Sequence, residues 1–130
     1  MQELFELDSV NVSGILDVVM GCGEIASLPD DVQFKVRLCV EEVVENIFSY
    51  SKAIRVDVRV TTEDSMLVIR LEDDGIPFDP LSKKDPDINA PLEDRPVGGL
   101  GIFLCKQMMD SLEYEFHDGH NIMVLHKKIR

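Results

Sequence analysis

FKVRLCVEEVVENIFSYS, residues 34–51, reads as one helix with two faces. Val36, Val40, Val43, Val44 and Ile47 recur at helical spacing and form an apolar stripe. Glu42 and Asn46 stand one turn apart, so their side chains meet on another face, well away from the centre of that stripe. A carboxylate and an amide side by side next to a core form a site-like arrangement. The ordinary alternative is a solvated helix face, because acidic residues are mostly exposed. Asn46 weakens that alternative, since asparagine competes for backbone hydrogen bonds and is a poor mid-helix residue.

Upstream of this helix, residues 2–7 alternate loosely as a first strand, and Asp8 or Ser9 offers N-cap chemistry. Residues 10–28 carry Val12, Ile15, Leu16, Val19 and Met20 as an amphipathic helix whose second half is weakened by Gly21 and Gly23. Leu28-Pro29-Asp30-Asp31 breaks it and opens the next helix. Downstream, residues 53–61 alternate strictly, with Ile54, Val56, Val58 and Val60 on one side. Residues 66–72 form a second strand, joined to the first by Thr62-Glu63-Asp64-Ser65 as a hairpin. One face of each strand is apolar and one polar, which predicts a sheet covered on one side. Five of the six prolines (Pro77, Pro80, Pro86, Pro91, Pro96) crowd into residues 73–97, which excludes helix and inner strand there. A loop of this length reads as a lid or binding loop. A helix follows over 102–109, then a closing hairpin, residues 112–116 and 122–129, turning at Asp118-Gly119. The predicted fold class is α+β: a two-layer sandwich with a mixed, mostly antiparallel sheet and helices on one face, in a single domain spanning residues 1–130.

Composition narrows the function classes. The chain has 130 residues, 45% of them hydrophobic, enough for one core. A net charge of -12 repels nucleic acid phosphates and anionic membranes, so neither is expected as a direct partner. Cys22, Cys39 and Cys105 make no close pair, and the last two sit in apolar helical runs, which predicts buried thiols and a reducing cytoplasm. No apolar run reaches membrane-spanning length, and the acidic N-terminus is unlike a signal peptide. His117, His120 and His126 lack metal-ligand spacing and read as surface and turn positions.

Three clusters remain. Glu42 with Asn46 is the first. Asp73-Asp74-Gly75-Ile76-Pro77-Phe78, at a strand exit, is the second. It is ordinary turn chemistry, or it fixes a carboxylate that accepts a hydrogen bond from an exocyclic amine such as that of adenine. Gly98-Gly99-Leu100-Gly101, at a helix start, is the third. It is either a loop-to-helix turn or a set of backbone N–H groups open to an anion. It matches neither the Walker A pattern nor the dinucleotide fingerprint. An asparagine oxygen can ligate Mg²⁺, and Glu42, one turn away, can serve as a general base in transfer of a γ-phosphoryl group. Taken together the clusters describe a nucleotide site.

The order E-x-x-x-N, D-x-G-x-P-F, G-G-L-G-I-x-L resembles the N, G1 and G2 boxes of the GHKL (Bergerat-fold) ATPases. The wording DDGIPFDP and GGLGIFLCKQMMDSLEYE is similar to the anti-sigma-factor serine kinase branch, and the resemblance runs from about residue 30 to the C-terminus. It implies ATP and Mg²⁺ as cofactors, Glu42 as catalytic base and Asn46 as magnesium ligand. Asp73 and Gly75 are implied at the adenine, Gly99, Leu100 and Gly101 under the phosphates, and residues 79–97 as the ATP lid; Lys83 and Lys84 in that segment read more simply as solvated side chains than as phosphate contacts. It implies a cytoplasmic protein serine kinase that phosphorylates an antagonist (anti-anti-sigma) protein and binds a sigma factor by partner switching, with homodimers known in the family. Two alternatives stay open: a nucleotide-binding regulatory module without phosphoryl transfer, and a detached histidine-kinase-type ATPase domain. The second is disfavoured because no dimerisation helix with a phosphoacceptor histidine precedes residue 30. Two departures stand out. Tyr50 occupies a position where many relatives carry histidine, and Gly119-His120-Asn121 replaces the late Gly-Thr element of larger members.

Overall fold

The apolar alternation of the strands and the stripe of the central helix meet in one core. The computed structural model describes residues 1–82 and 100–129. The elements run β1 (Gln2–Glu6), α1 (Val12–Met20), α2 (Gly23–Ala26), α3 (Asp30–Asn46), a π-turn (Ile47–Ser51), β2 (Arg55–Glu63), β3 (Met66–Asp73), a 3₁₀ turn (Pro80–Ser82), α4 (Leu100–Met108), β4 (Ser111–His117) and β5 (His120–Lys128). The five strands order as β1-β2-β3-β5-β4. The α+β class stands as expected. The anticipated mixed sheet narrows to an antiparallel one, since every strand pairing among the described residues is antiparallel.

Local chemistry explains the boundaries. Asn11 caps α1 by accepting the Gly14 N–H at 2.8 Å. The helix expected over 10–28 divides at Gly21-Cys22 into α1 and α2. Pro29 precedes α3, and Asp30 and Asp31 place negative charge on its positive N-terminal end. That helix therefore starts four residues before Phe34, which is exposed. Both hairpins turn on two residues of positive φ, Asp64-Ser65 and Asp118-Gly119, the geometry that suits tight antiparallel connections.

The core lies between the helices and one face of the sheet. Val36, Cys39, Val40, Val43, Val44 and Ile47 of α3 and its π-turn are buried, so the stripe is the core face and also includes Cys39. Val56, Val58 and Val60 of β2 and Leu67, Ile69 and Leu71 of β3 meet it. Each such side chain contributes about 1.5–3 kcal/mol by leaving water. Ile54 departs from expectation: it precedes β2 and is 65% exposed. The opposite face carries Arg59, Arg70 and Glu72, with Arg70 paired to Glu72 at 2.7 Å. No helix among the described residues is long and apolar enough to cross a membrane.

Cys39 on α3 and Cys105 on α4 are buried and free, and their sulfurs hydrogen-bond to one another. That bond, together with burial, pushes the Cys105 thiol far above its usual range. Cys22 is only partly covered. A thiol reagent is expected to modify Cys22 alone in the native protein and the other two only on unfolding. Labelling followed by peptide mass spectrometry checks this, and native-state modification of Cys105 would contradict the packing.

Candidate functional site

The site begins with strand periodicity. Leu67, Ile69 and Leu71 point from β3 into the core, and Asp73 takes the next inward position. Its carboxyl is therefore carried into the buried layer, where the residue is 3% exposed. Burial raises the Asp73 carboxyl above its ordinary range; the Asn121 amide, the Gly75 N–H and the Ser51 hydroxyl oppose that rise. Asp73 Oδ1 accepts the Gly75 N–H at 2.9 Å and the Asn121 Nδ2–H at 3.0 Å. Asp74 has the reverse environment. Burial would raise it, but the N–H groups of Ile54 and Arg55, at 2.8 and 2.9 Å, hold it below the usual aspartate range. One carboxyl thus fastens the chain to β2, and its neighbour faces the core.

The end of α3 closes over this strand exit. In the π-turn the Ser51 hydroxyl donates to the Ile47 carbonyl at 2.9 Å, and Lys52 ends the turn with φ 54°. Single π turns inside helices recur at functional sites. The Ser51 carbonyl accepts the Ile76 N–H at 2.8 Å. A Cβ on Gly75 would collide with that same carbonyl. Gly75 is thus required by the contact between the strand exit and the helix end.

Asn46 and Asp73 share a narrow cavity whose walls include Leu71, Phe78, Asn121 and Met123. It encloses about 20 Å³, room for one water. Phe78 and Pro80 form part of its wall, and the Phe78 ring stacks on Tyr50 with centroids 4.8 Å apart. Glu42 lies one turn earlier, in a second depression of about 270 Å³ between α3 and α4, with Gly101, Leu104, Cys105 and Met108. Its carboxylate rests where a Cβ of Gly101 would stand. The two helices approach closely there because residue 101 has no side chain.

The structure therefore brings together Asn46 and Asp73 in one cavity, and Glu42 and Gly101 in the adjoining cleft. Leu100 is the first residue of α4 and is exposed. Gly99, Lys83, Lys84 and residues 83–97 of the expected lid lie outside the described residues. His120 reaches Glu72 and His126 reaches Ser111, away from this cavity. Among the described residues no cluster of three His, Cys, Asp or Glu could hold a metal. The Asn46 side-chain oxygen at the cavity wall is of the donor type that magnesium takes. The site residue that the sequence does not single out is Asn121, the last residue of the Gly119-His120-Asn121 departure from the Gly-Thr element. An asparagine two residues before Met123 and four before Leu125, in step with the inward positions of the strand, is the available signal.

An antiparallel sheet with helices on one face thus carries a buried carboxylate at a strand exit and an asparagine on the facing helix. The sequence pattern of the histidine kinase-like ATPase domain matches residues 5–127, and the chain belongs to that family. It is similar to the serine/threonine-protein kinase BtrW of Bordetella bronchiseptica, 30% identical over 100 residues, covering 72% of this chain and 69% of the relative. It is also similar to the serine-protein kinase RsbW of Bacillus cereus, 29% identical over 104 residues, covering 73% of this chain. The chain spans 63% of the length of that RsbW, and 61% of RsbW from Listeria monocytogenes, where identity is 25%. Among solved structures, the blue-light activated histidine kinase of Erythrobacter litoralis shares the fold at TM-score 0.58 and 16% identity, over 91% of this chain and 39% of that one. The catalytic domain of histidine kinase ThkA does so at TM-score 0.55 and 11% identity, over 99% and 97%.

Two glycine substitutions separate packing from site geometry. Gly75→Ala meets the Ser51 backbone, which cannot yield cheaply, so a loss of roughly 1–3 kcal/mol is expected in denaturant unfolding. Gly101→Ala meets the carboxylate at the far end of the Glu42 side chain rather than backbone, so stability should fall by less than about 1 kcal/mol while that carboxylate is displaced. Equal destabilisation by the two would contradict this assignment.

Asp73 also predicts a pH effect. With its carboxyl raised, the folded chain keeps a proton that the unfolded chain releases, so its contribution is most favourable in acid. That contribution declines as pH rises from the ordinary aspartate range through the raised value. At neutral pH the buried charge therefore costs stability. Asp73→Asn keeps an acceptor for Gly75 and Asn121 and removes the charge, so its melting temperature at pH 7 should exceed that of the wild type, with the advantage vanishing in acid. A lower melting temperature at pH 7 would sink the argument.

Proposed function

We propose that this chain is an ATP-dependent protein serine/threonine kinase of the anti-sigma type. The observation that carries the reading is that Asn46 and Asp73 share one cavity while Glu42, one turn before Asn46, faces the cleft beside Gly101. Support comes from relatives that are named serine-protein kinases.

The roles follow from donor and acceptor chemistry. Asp73 accepts a hydrogen bond from the exocyclic amine of adenine, between the apolar walls of Leu71 and Met123. Entry of a purine requires Phe78 and Pro80 to move outward, because the cavity holds only about 20 Å³. The Asn46 side-chain oxygen holds magnesium, and Gly99, Leu100 and Gly101 bring backbone N–H groups to the phosphates. Mg·ATP supplies the transferable γ-phosphoryl group. Glu42 takes the proton from the attacking serine or threonine hydroxyl of the protein substrate. That substrate is an antagonist protein, whose phosphorylation releases it and frees the shared surface for a sigma factor in the cytoplasm.

Calorimetric titration of Mg·ATP and a phosphoryl-transfer assay test the reading. Wild type is expected to bind saturably, and Asp73→Asn to abolish binding. Glu42→Gln should keep its affinity within about threefold while transfer to the antagonist falls by roughly 10²–10⁴. Saturable binding with transfer absent in the wild type would favour a nucleotide-dependent binding module. Absence of binding by the folded wild type would overturn the assignment.

A further inference from the structure

We propose that Asn121 is the positioning residue of the site: it orients Asp73 as an acceptor toward the cavity and ties the cavity's outer wall to β5. The inference rests on the nucleotide reading of that cavity, but its geometry does not. Asn121 is 3% exposed and stands opposite Asp73 in the β3–β5 register. Its Nδ2 donates to Asp73 Oδ1 at 3.0 Å and to the Ile76 carbonyl at 2.7 Å. Its Oδ1 accepts the Phe78 N–H at 2.9 Å and the Tyr114 hydroxyl at 2.5 Å. An amide side chain has two donors and a two-lone-pair acceptor, so these bonds use all of its capacity. A flipped amide would set its oxygen against two acceptors and its NH₂ against the Phe78 N–H, so the orientation is determined by the partners. Asn121 therefore has nothing left to offer a ligand. It acts through Asp73 and through residues 76–78.

The coupling is specific. Among the groups that oppose burial at Asp73, the Asn121 amide ranks first. Asp74 is the charged neighbour on the same strand and acts against ionisation. Tyr114 faces from β4, with Asp79 beyond it, and Ser51 and Asn46 face from the helix side. Val56, opposite on β2, carries no titratable group. Removing the Asn121 donor leaves Asp73 buried with fewer partners, and it also frees the Ile76 carbonyl from β5.

Asn121→Asp is the sharp variant. It keeps acceptors for Phe78 and Tyr114, deletes both donors and sets a second carboxyl beside Asp73, so that the two share a proton. Asn121→Ser, which restores one hydroxyl donor, serves where the first variant folds poorly. Carboxyl titration of Asp73 by NMR in the full chain is read beside the pH profile of Mg·ATP affinity. In Asn121→Asp the apparent midpoint of the pair should rise by about one unit or more, with affinity at neutral pH down roughly tenfold and recovering as pH increases. Asn121→Ser should fall between this variant and the wild type. An unmoved midpoint in both variants, or affinity lost equally at every pH, would overturn the proposal and leave Asn121 a structural residue. A moved midpoint in a chain that never binds Mg·ATP supports the positioning of Asp73 and overturns the nucleotide reading instead.

Discussion

A buried carboxylate opposite a buried amide, Asp73 against Asn121, is the constraint on which the rest of the site depends. An ionised group in an apolar layer is tolerable only when donors surround it. Here the donors come from the strand exit through Gly75 and from β5 through Asn121, with the Ser51 hydroxyl of the π-turn close by. Each donor is also a tether. Ser51 joins the helix end to Ile76, and Asn121 joins Ile76 and Phe78 to the sheet. Satisfying one carboxylate thus assembles one wall of the cavity.

The second constraint is the approach of α4 to α3. Glu42 occupies the space that a side chain at residue 101 would fill, and the thiols of Cys39 and Cys105 meet on the apolar side of the same contact. One turn of α3 separates Glu42 from Asn46, so the helix spans the cleft and the cavity. A helix with an apolar stripe on one side and polar groups on its flank suffices for this, provided that a glycine lets its neighbour come close.

Much of the fold was legible because its signals are periodic. The alternation of β2 and β3 and the stripe of α3 each bury what the spacing says they bury. Errors fell where periodicity stops. Ile54 continues the alternation in sequence, yet it precedes the first paired residue and stays exposed. The helix over 10–28 breaks at Gly21, where two glycines two residues apart lower helical stability. The end of α3 is a π-turn in which the Ser51 hydroxyl bonds locally to Ile47 while its carbonyl meets the distant Ile76 N–H, a contact no local period announces.

Residue type and spacing alone determined the class of fold and the helix carrying Glu42 and Asn46, and set Asp73 at a strand exit, since these depend on local periods of 3.6 and 2. The tertiary structure decided which of these groups share a space. It assigned Gly75 to packing against Ser51, placed Glu42 in a cleft apart from Asp73, and made Asn121 the partner that no local pattern names. The reason is physical: Asp73 and Asn121 lie far apart in the chain and meet only when β3 and β5 pair. A hydrogen-bond network closes only once every strand is in register, so its members can be read only in the folded chain.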